Sequence, residues 1–328
     1  MKCMRMSGID QTIWLQHAWV NRFQSLSLLA FMGGFLALLG WLLWGGSGVL
    51  MLLITGVIFV FLNPTLSPRL IMRLYGARAL TPAQAPHHYA ILRELANRAG
   101  LAVVPTLYYV PSRVVNAFTV GHKDRSAVAA TDGLLRALDT REQIGVLAHE
   151  VSHVRSNDMW VMGLADMFSR LTAWLSLFGQ LLLLVNLPLL FLGQLTVNWL
   201  AILILILAPS MSALAQLGLS RTREYDADLN AAQVTRDPEG LARALVKIER
   251  LQGGWLERVF LPGRRLPEPS LLRTHPPTEE RVRRLMELKR PSAADRISIP
   301  PSRVAPFDVL RDHNIRYGPR WHISGLWH

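Results

Sequence analysis

Two long stretches without a charged residue constrain this chain more than any other feature. Residues 23–68 contain no Asp, Glu, Lys or Arg over 46 positions, and residues 171–220 contain none over 50. A helix needs about 20 apolar residues to cross a bilayer, so each stretch is long enough for two crossings. Each also has a break near its middle, at 45–48 and 186–194. We therefore predict four transmembrane helices, arranged as two hairpins.

The composition argues against a simple soluble enzyme. Only 18% of the 328 residues are charged, against roughly 25% in an ordinary soluble domain. A soluble fold would have to bury both apolar stretches, and 50 uncharged residues in succession exceed what a globular core normally uses. The single cysteine, Cys3, excludes an internal disulfide and fits a reducing compartment.

The rest of the chain divides around the two hairpins. Residues 69–170 and 221–290 together provide 172 positions, enough for one soluble domain with its own core. Residues 1–22 form an N-terminal segment, and 291–328 form a Pro-containing tail. The predicted order is thus segment, hairpin, first domain part, hairpin, second domain part and tail.

The distribution of charge predicts the orientation in the membrane. Basic residues flank the spans on one side only, and both hairpin turns carry no charge. The positive-inside rule then places both termini and the soluble domain in the cytoplasm. The flanking basic residues are Lys2, Arg5, Arg22, Arg69, Arg73, Arg78, Arg221 and Arg223. We interpret the net charge of +12 as a surface facing anionic lipid, and no nucleic-acid motif is visible.

The soluble part has the pattern of an α+β fold that is mainly helical with a small sheet. Three short runs rich in β-branched and aromatic residues, 106–110, 114–121 and 126–130, predict the strands. Thr140 is the predicted N-cap of a helix over 141–157. Further helices are predicted at 86–99, 223–232, 238–251 and 278–288.

The sequence His149-Glu150-Val151-Ser152-His153 lies within one of these predicted helices. Residues four apart share a helix face and are about 6 Å apart along the axis. Two imidazoles at that spacing can bind one metal ion, while the intervening glutamate reaches a water on it. The pentad therefore predicts a catalytic zinc site; the alternative is two histidines on a solvated face.

A third ligand is predicted just after the second hairpin. Glu224 and Asp228 are again four residues apart, so one can bind the metal while the other accepts a hydrogen bond from a ligating histidine. Two predicted membrane crossings separate these carboxylates from the pentad. An even number of crossings puts the carboxylates and the pentad on the same side of the membrane. The alternative is a solvated acidic face at a helix start.

Four segments, taken together, resemble the motifs of the HtpX-type membrane metalloproteases, relatives of the CAAX-prenyl endopeptidases and Oma1-like proteases. They are 116–118, 147–158, 223–228 and 274–281, and the similarity covers roughly residues 23–288. The resemblance implies a zincin-type zinc endopeptidase with one Zn²⁺ per chain. It also implies a bacterial inner membrane location, a cytoplasmic catalytic domain and a part in membrane-protein quality control.

The resemblance also implies roles for single residues. His149, His153 and Glu224 match the zinc ligands, Glu150 matches the catalytic glutamate, and Asp228 is left as the partner of a ligand. Asn116, Ala117 and Phe118 match a strand beside the cleft, where an extended substrate adds as a further strand; an ordinary half-buried strand is the alternative.

The segment after residue 273 matches a His-Pro motif that lies at the active site of relatives. Within it, His275 is expected as an occasional fourth ligand or a donor to the oxyanion, and Arg281 as an oxyanion donor. A purely structural role is the alternative for both.

These features predict an endopeptidase that hydrolyses cytoplasmic parts of damaged or misfolded membrane proteins. Its partners are then protein or peptide substrates and the lipid bilayer, without nucleic acid. One alternative is a non-hydrolytic, zinc-stabilised membrane adaptor that binds unfolded segments by strand addition. Structural zinc sites are closed and rich in cysteine, which argues against it. A CAAX-type processing protease shares the chemistry, whereas a transporter is disfavoured because the spans carry no ionisable residue.

Overall fold

The computed structural model describes residues 9–62, 67–192, 198–251 and 276–289. The chain forms two compact units. One unit contains the chain up to residue 20, residues 65–159 and the chain from 224 onward; the other contains residues 21–64 and 160–223. His275 and the tail 291–328 lie outside the described residues.

The first unit holds a small sheet and most of the shorter helices. Its elements are α2 (Pro68–Leu74), β1 (Arg78–Ala79), α3 (Pro86–Ala99), β2 (Thr106–Val110), β3 (Ala117–His122), β4 (Arg125–Thr131), α4 (Asp132–Ala137), α5 (Thr140–Ser156), α8 (Pro238–Leu251) and α9 (Thr278–Glu287). Three long helices supply the second unit and continue into the first: α1 (Gln11–Leu62), α6 (Asp158–Phe191) and α7 (Trp199–Thr235).

The sheet has four strands in the order β1-β2-β4-β3. β2 and β4 are parallel, whereas β1 pairs with β2 and β3 pairs with β4 in the antiparallel sense. The three strands expected from the sequence are present, and β3 begins at Ala117 rather than at residue 114. β3 therefore lies at one edge of the sheet.

Helix α5 is fixed at both ends by its own sequence. Asp139 accepts a hydrogen bond from the backbone N–H of Glu142, and the Glu142 side chain accepts one from the backbone N–H of Asp139. This capping box makes Asp139 the N-cap and Thr140 the first helical residue, so the helix begins one position earlier than predicted. At the other end, Asn157 adopts a left-handed conformation with φ of 56°, which stops the helix.

One side of α5 contributes to the main core of the first unit. Leu147 and Val151 are at most 1% exposed and belong to the same cluster as Leu92 and Leu95 of α3. Gly145 allows α8 to approach, because a Cβ there would lie 2.8 Å from the backbone of Leu241. This packing holds α5, the helix that contains the pentad, against the core of the first unit.

In the second unit, α1 reverses direction at Gly45, where φ is 64° and ψ is −146°. The two arms then lie side by side, because a Cβ on Gly48 would overlap the carbonyl oxygen of Gly40. Leu39 and Leu52, one from each arm, pack into one apolar cluster.

Within the described residues, three helices are long and apolar enough to cross a membrane: Gln11–Ile58, Asp158–Pro188 and Trp199–Thr235. The first includes the reversal at Gly45, so the four separate spans predicted above appear as three candidates. The predicted break at 186–194 is also displaced, since α6 continues through Pro188 to Phe191.

The predicted helix 223–232 is not a separate element. It is the last part of α7, which runs from Trp199 to Thr235 without interruption. Charge marks where the apolar surface ends, but Arg and Glu are good helix formers, so a change to charged residues does not end a helix.

Candidate metal centre

Two histidines of α5 and a glutamate of α7 converge inside the first unit. The Nε2 atoms of His149 and His153 are 3.1 Å apart. Oε2 of Glu224 is 3.5 Å from Nε2 of His149, and its Oε1 is 3.6 Å from Nε2 of His153. All three side chains are buried. Across the described ranges, this is the one group of metal-ligating side chains within 4.8 Å of one another.

The spacing of these donor atoms fits a tetrahedral zinc ion. With Zn–N and Zn–O distances of about 2.0–2.1 Å, neighbouring donors of a tetrahedron lie about 3.3 Å apart. The separations of 3.1, 3.5 and 3.6 Å bracket that value. Three protein ligands are also the number found in catalytic zinc sites, where the fourth position is left for water or substrate.

Two carboxylates orient the two imidazoles by contacting the ring nitrogen of each that does not face the other ligands. Nδ1 of His149 lies 3.0 Å from Oδ1 of Asp228, and Nδ1 of His153 lies 2.7 Å from Oδ2 of Asp158. Each carboxylate accepts the Nδ1–H of its histidine. In that tautomer the Nε2 lone pair points to the position between the ligands where a metal ion would bind. Asp228 was predicted for this position, whereas Asp158 was not. Asp158 is the last residue of the motif segment 147–158, but nothing in its spacing from His153 indicated this contact.

Arg281 of α9 packs beneath the cluster. Its Nε and Nη2 each donate to the Asp228 carboxylate at 2.7 Å, and its Nη1 is 3.4 Å from Oε2 of Glu224. The residue is only 5% exposed. The structure thus places Arg281 beside Asp228 and Glu224. Its guanidinium faces the carboxylates of Asp228 and Glu224, and the predicted role as an oxyanion donor stays a prediction.

Glu150 stands between the two histidines on the same helix and is 7% exposed. Its Oε2 accepts a hydrogen bond of 2.8 Å from Oγ1 of Thr119 on β3. Thr119 could not be selected from the sequence, because a single threonine 31 residues from Glu150 forms no motif with the pentad.

Comparison with known proteins assigns this arrangement to a family. The sequence profile of peptidase family M48 matches residues 82–289, a range that contains every member of the cluster. The chain belongs to peptidase family M48. It is 36% identical over 285 residues to the protease HtpX homolog of Desulfatibacillum aliphaticivorans, covering 81% of this chain and 89% of that protein.

Two further HtpX homologs give nearly full-length matches. The homolog of Paraburkholderia phytofirmans is 33% identical over 291 residues, covering 82% of this chain and 98% of the relative. That of Burkholderia multivorans is 32% identical over 305 residues, covering 84% and 99%. The recognition of an HtpX-type protease is confirmed: this M48 peptidase is a metallopeptidase, and its apolar helices mark it as membrane-associated.

The electrostatics of this M48 site favour a cation. Burial opposes the charged form of His149, but the hydrogen bond to Asp228 and the proximity of Glu224 outweigh it and raise the pKa of His149 to about 10. Burial likewise acts to raise the pKa of Asp228, yet Arg281 and His149 hold it below its ordinary value. A metal ion bound at Nε2 would replace this second proton of the imidazole, and the same carboxylates would stabilise its positive charge.

The predicted substrate strand of this M48 peptidase lies at the edge of the described sheet. Ala117 and Phe118 belong to β3, and Asn116 directly precedes it, with its backbone N–H donating to Oγ1 of Thr131 at 3.0 Å. Phe118 is 2% exposed and its ring centroid lies 4.9 Å from that of Tyr75. The Phe118 side chain therefore belongs to the core, and the backbone is the part of the strand suited to pairing with a further chain.

Proposed function

We propose that this M48 peptidase is a zinc-dependent endopeptidase that cleaves cytoplasmic parts of misfolded or damaged membrane proteins. The convergence of His149, His153 and Glu224 next to Glu150 carries the proposal. These three ligands would hold one Zn²⁺ per chain. The apolar helices of the same chain support substrates that lie in or near a membrane.

The residues of the site divide the chemistry of peptide hydrolysis between them. When bound, zinc would polarise the scissile carbonyl and make a water molecule more acidic. Glu150 accepts a proton from the attacking water and transfers it to the leaving amine. Asp228 and Asp158 hold the imidazoles with their Nε2 atoms toward the ion.

In this proposal Arg281 acts on Asp228 and not on the substrate. A buried carboxylate is costly without a partner, and the two hydrogen bonds from Arg281 keep Asp228 ionised. Asp228 can then accept from His149. The oxyanion donor is left to the segment that contains His275, which was predicted for that role.

The proposed orientation follows the charges next to the spans. Four spans, with one reversal at Gly45 and one between α6 and α7, would leave 1–22, the catalytic parts 69–170 and 221–290, and the tail 291–328 in the cytoplasm. The relatives are bacterial proteins, so the proposed location is the inner membrane.

Substrate recognition is proposed at the edge strand β3. Backbone hydrogen bonding to Ala117 and Phe118 would hold many sequences in one register, giving a broad specificity. Such specificity suits an enzyme that removes damaged proteins of varied sequence.

The decisive experiment combines proteolysis with metal analysis. Detergent-purified wild type and Glu150→Gln are incubated with an unfolded protein, with and without a chelator. We expect cleavage by the wild type alone, its loss on chelation, and bound zinc in both proteins. Binding without cleavage by the wild type would support the adaptor, and cleavage restricted to prenylated peptides would support the CAAX-type enzyme. Near-normal cleavage by Glu150→Gln would exclude the proposed mechanism.

A further inference from the structure

Thr119 contacts the glutamate of the pentad directly. Its Oγ1 lies 2.8 Å from Oε2 of Glu150 and 3.2 Å from the backbone oxygen of the same residue. A hydroxyl has one hydrogen to donate, and the shorter distance and negative charge favour the carboxylate. Thr119 is 2% exposed and Glu150 7% exposed, so water screens this contact little.

Among the residues that the structure describes, Thr119 provides the only hydrogen bond to the Glu150 side chain. Oε1 of Glu150 accepts none from them. The hydroxyl therefore fixes one carboxylate oxygen and leaves the other for the proton of the attacking water.

The register of β3 is what brings this hydroxyl to α5. Thr119 pairs with Val128 of β4, and the hairpin closes with His122 opposite Arg125. Gly121 has a φ of 100°, and a Cβ there would overlap the carbonyl oxygen of Arg125, so the turn has room for glycine alone. Neighbouring side chains of a strand face opposite sides, and a slip of one residue would move an apolar side chain into the place of Thr119.

We propose that Thr119 is a positioning residue that holds the carboxylate of Glu150 ready for proton transfer. The inference rests on the proposed role of Glu150 as general base. It also connects two parts of the site: the strand on which substrate is expected to add carries, on its inner side, the group that orients the base. Substrate pairing and orientation of the base thus depend on the same register of β3.

The test compares Thr119→Val with Thr119→Ser. Valine keeps the shape and suits a strand but lacks the hydroxyl, whereas serine retains it. Ser126→Ala is the matched control, because Ser126 lies on the adjacent strand and its buried hydroxyl has no partner within the described residues. We measure kcat, KM, zinc content and zinc affinity by chelator competition for each, with Glu150→Gln, Glu150→Asp and the double variant Thr119→Val/Glu150→Asp in parallel.

We expect Thr119→Val to lower kcat about 10-fold to 100-fold, the range typical of lost orienting contacts. KM, zinc content and zinc affinity should stay close to those of the wild type. Thr119→Ser and Ser126→Ala should retain kcat within about threefold, since their catalytic contacts are intact. The kcat losses of Thr119→Val and Glu150→Asp should combine less than additively, because Thr119 acts through Glu150.

The inference would be overturned by equal losses in the Val and Ser variants, by a raised KM at constant kcat, by loss of zinc from Thr119→Val, or by fully additive losses with Glu150→Asp. If Glu150→Gln is inactive while Thr119→Val matches the wild type, this inference alone fails. If Glu150→Gln cleaves normally, the proposed function fails as well.

Discussion

Arg281 donates two hydrogen bonds of 2.7 Å to the carboxylate of Asp228, one from Nε and one from Nη2. Asp228 in turn lies 3.0 Å from Nδ1 of His149. Arg281 of α9 and Asp228 of α7 are 53 positions apart in sequence. This chain of contacts makes a helix without any metal-ligating residue part of the metal centre, since the orientation of His149 depends on a carboxylate that Arg281 holds.

Arg281→Lys should weaken zinc binding. Lysine offers a point charge and cannot form the paired hydrogen bonds, so Asp228 would be less well fixed and zinc affinity should fall by about 10-fold or more. Arg283→Lys is the control, because that residue lies on the same helix with a side chain that is 61% exposed. Chelator competition measures the affinity. Unchanged affinity with a turnover lowered about 10²-fold to 10³-fold would instead support the oxyanion role.

Asp158→Asn and Asp228→Asn should behave alike. Each removes the negative charge that accepts the Nδ1–H of one histidine, and zinc affinity should fall by about 10-fold to 100-fold in each. Asp166→Asn controls for the charge change, since Asp166 pairs with the exposed Arg170 in α6. An Asp158→Asn protein that binds zinc as tightly as the Asp166→Asn protein would remove Asp158 from the site.

The sequence predicted the parts of the site that are local. His149, Glu150 and His153 share a helix face through spacing alone, and the bounds of α3 and β2 follow from periodicity and from Gly100 and Pro111. The cap of α5 was misplaced by one residue because Asp139 and Thr140 are both good N-caps, and only the pairing with Glu142 decides between them.

Contacts between distant segments could not be predicted in this way. Thr119 and Glu150 meet because β3 packs on α5 in one register, and no pattern in the sequence encodes that pairing. Asp158 meets His153 because the chain turns at Asn157. Glu224 was found through its position after the second apolar stretch and the family resemblance, whereas the attachment of Arg281 to Asp228 required the fold.

Glu224→Ala should lose zinc and proteolysis together, because two histidines alone leave the ion with too few protein ligands. Glu94→Ala is a suitable control, since Glu94 lies along α3 in a solvent-accessible pair with Arg98. Metal analysis of the purified proteins decides the question. One zinc per chain in Glu224→Ala would remove Glu224 from the ligands and require another residue in its place.

The proposed orientation can be tested with single cysteines introduced into Cys3→Ser. Ser47 is exposed next to the reversal at Gly45, and Lys123 is exposed in the turn between β3 and β4. Because both predicted hairpin turns are uncharged and the basic residues flank the opposite ends of the spans, Ser47 should face the outside and Lys123 the cytoplasm. A membrane-impermeant maleimide should therefore label Ser47→Cys in intact cells and Lys123→Cys only after lysis. Both variants must still cleave the unfolded substrate, so that the labelling reports the active fold. Labelling of Lys123→Cys in intact cells would place the catalytic domain outside and contradict the charge-based orientation.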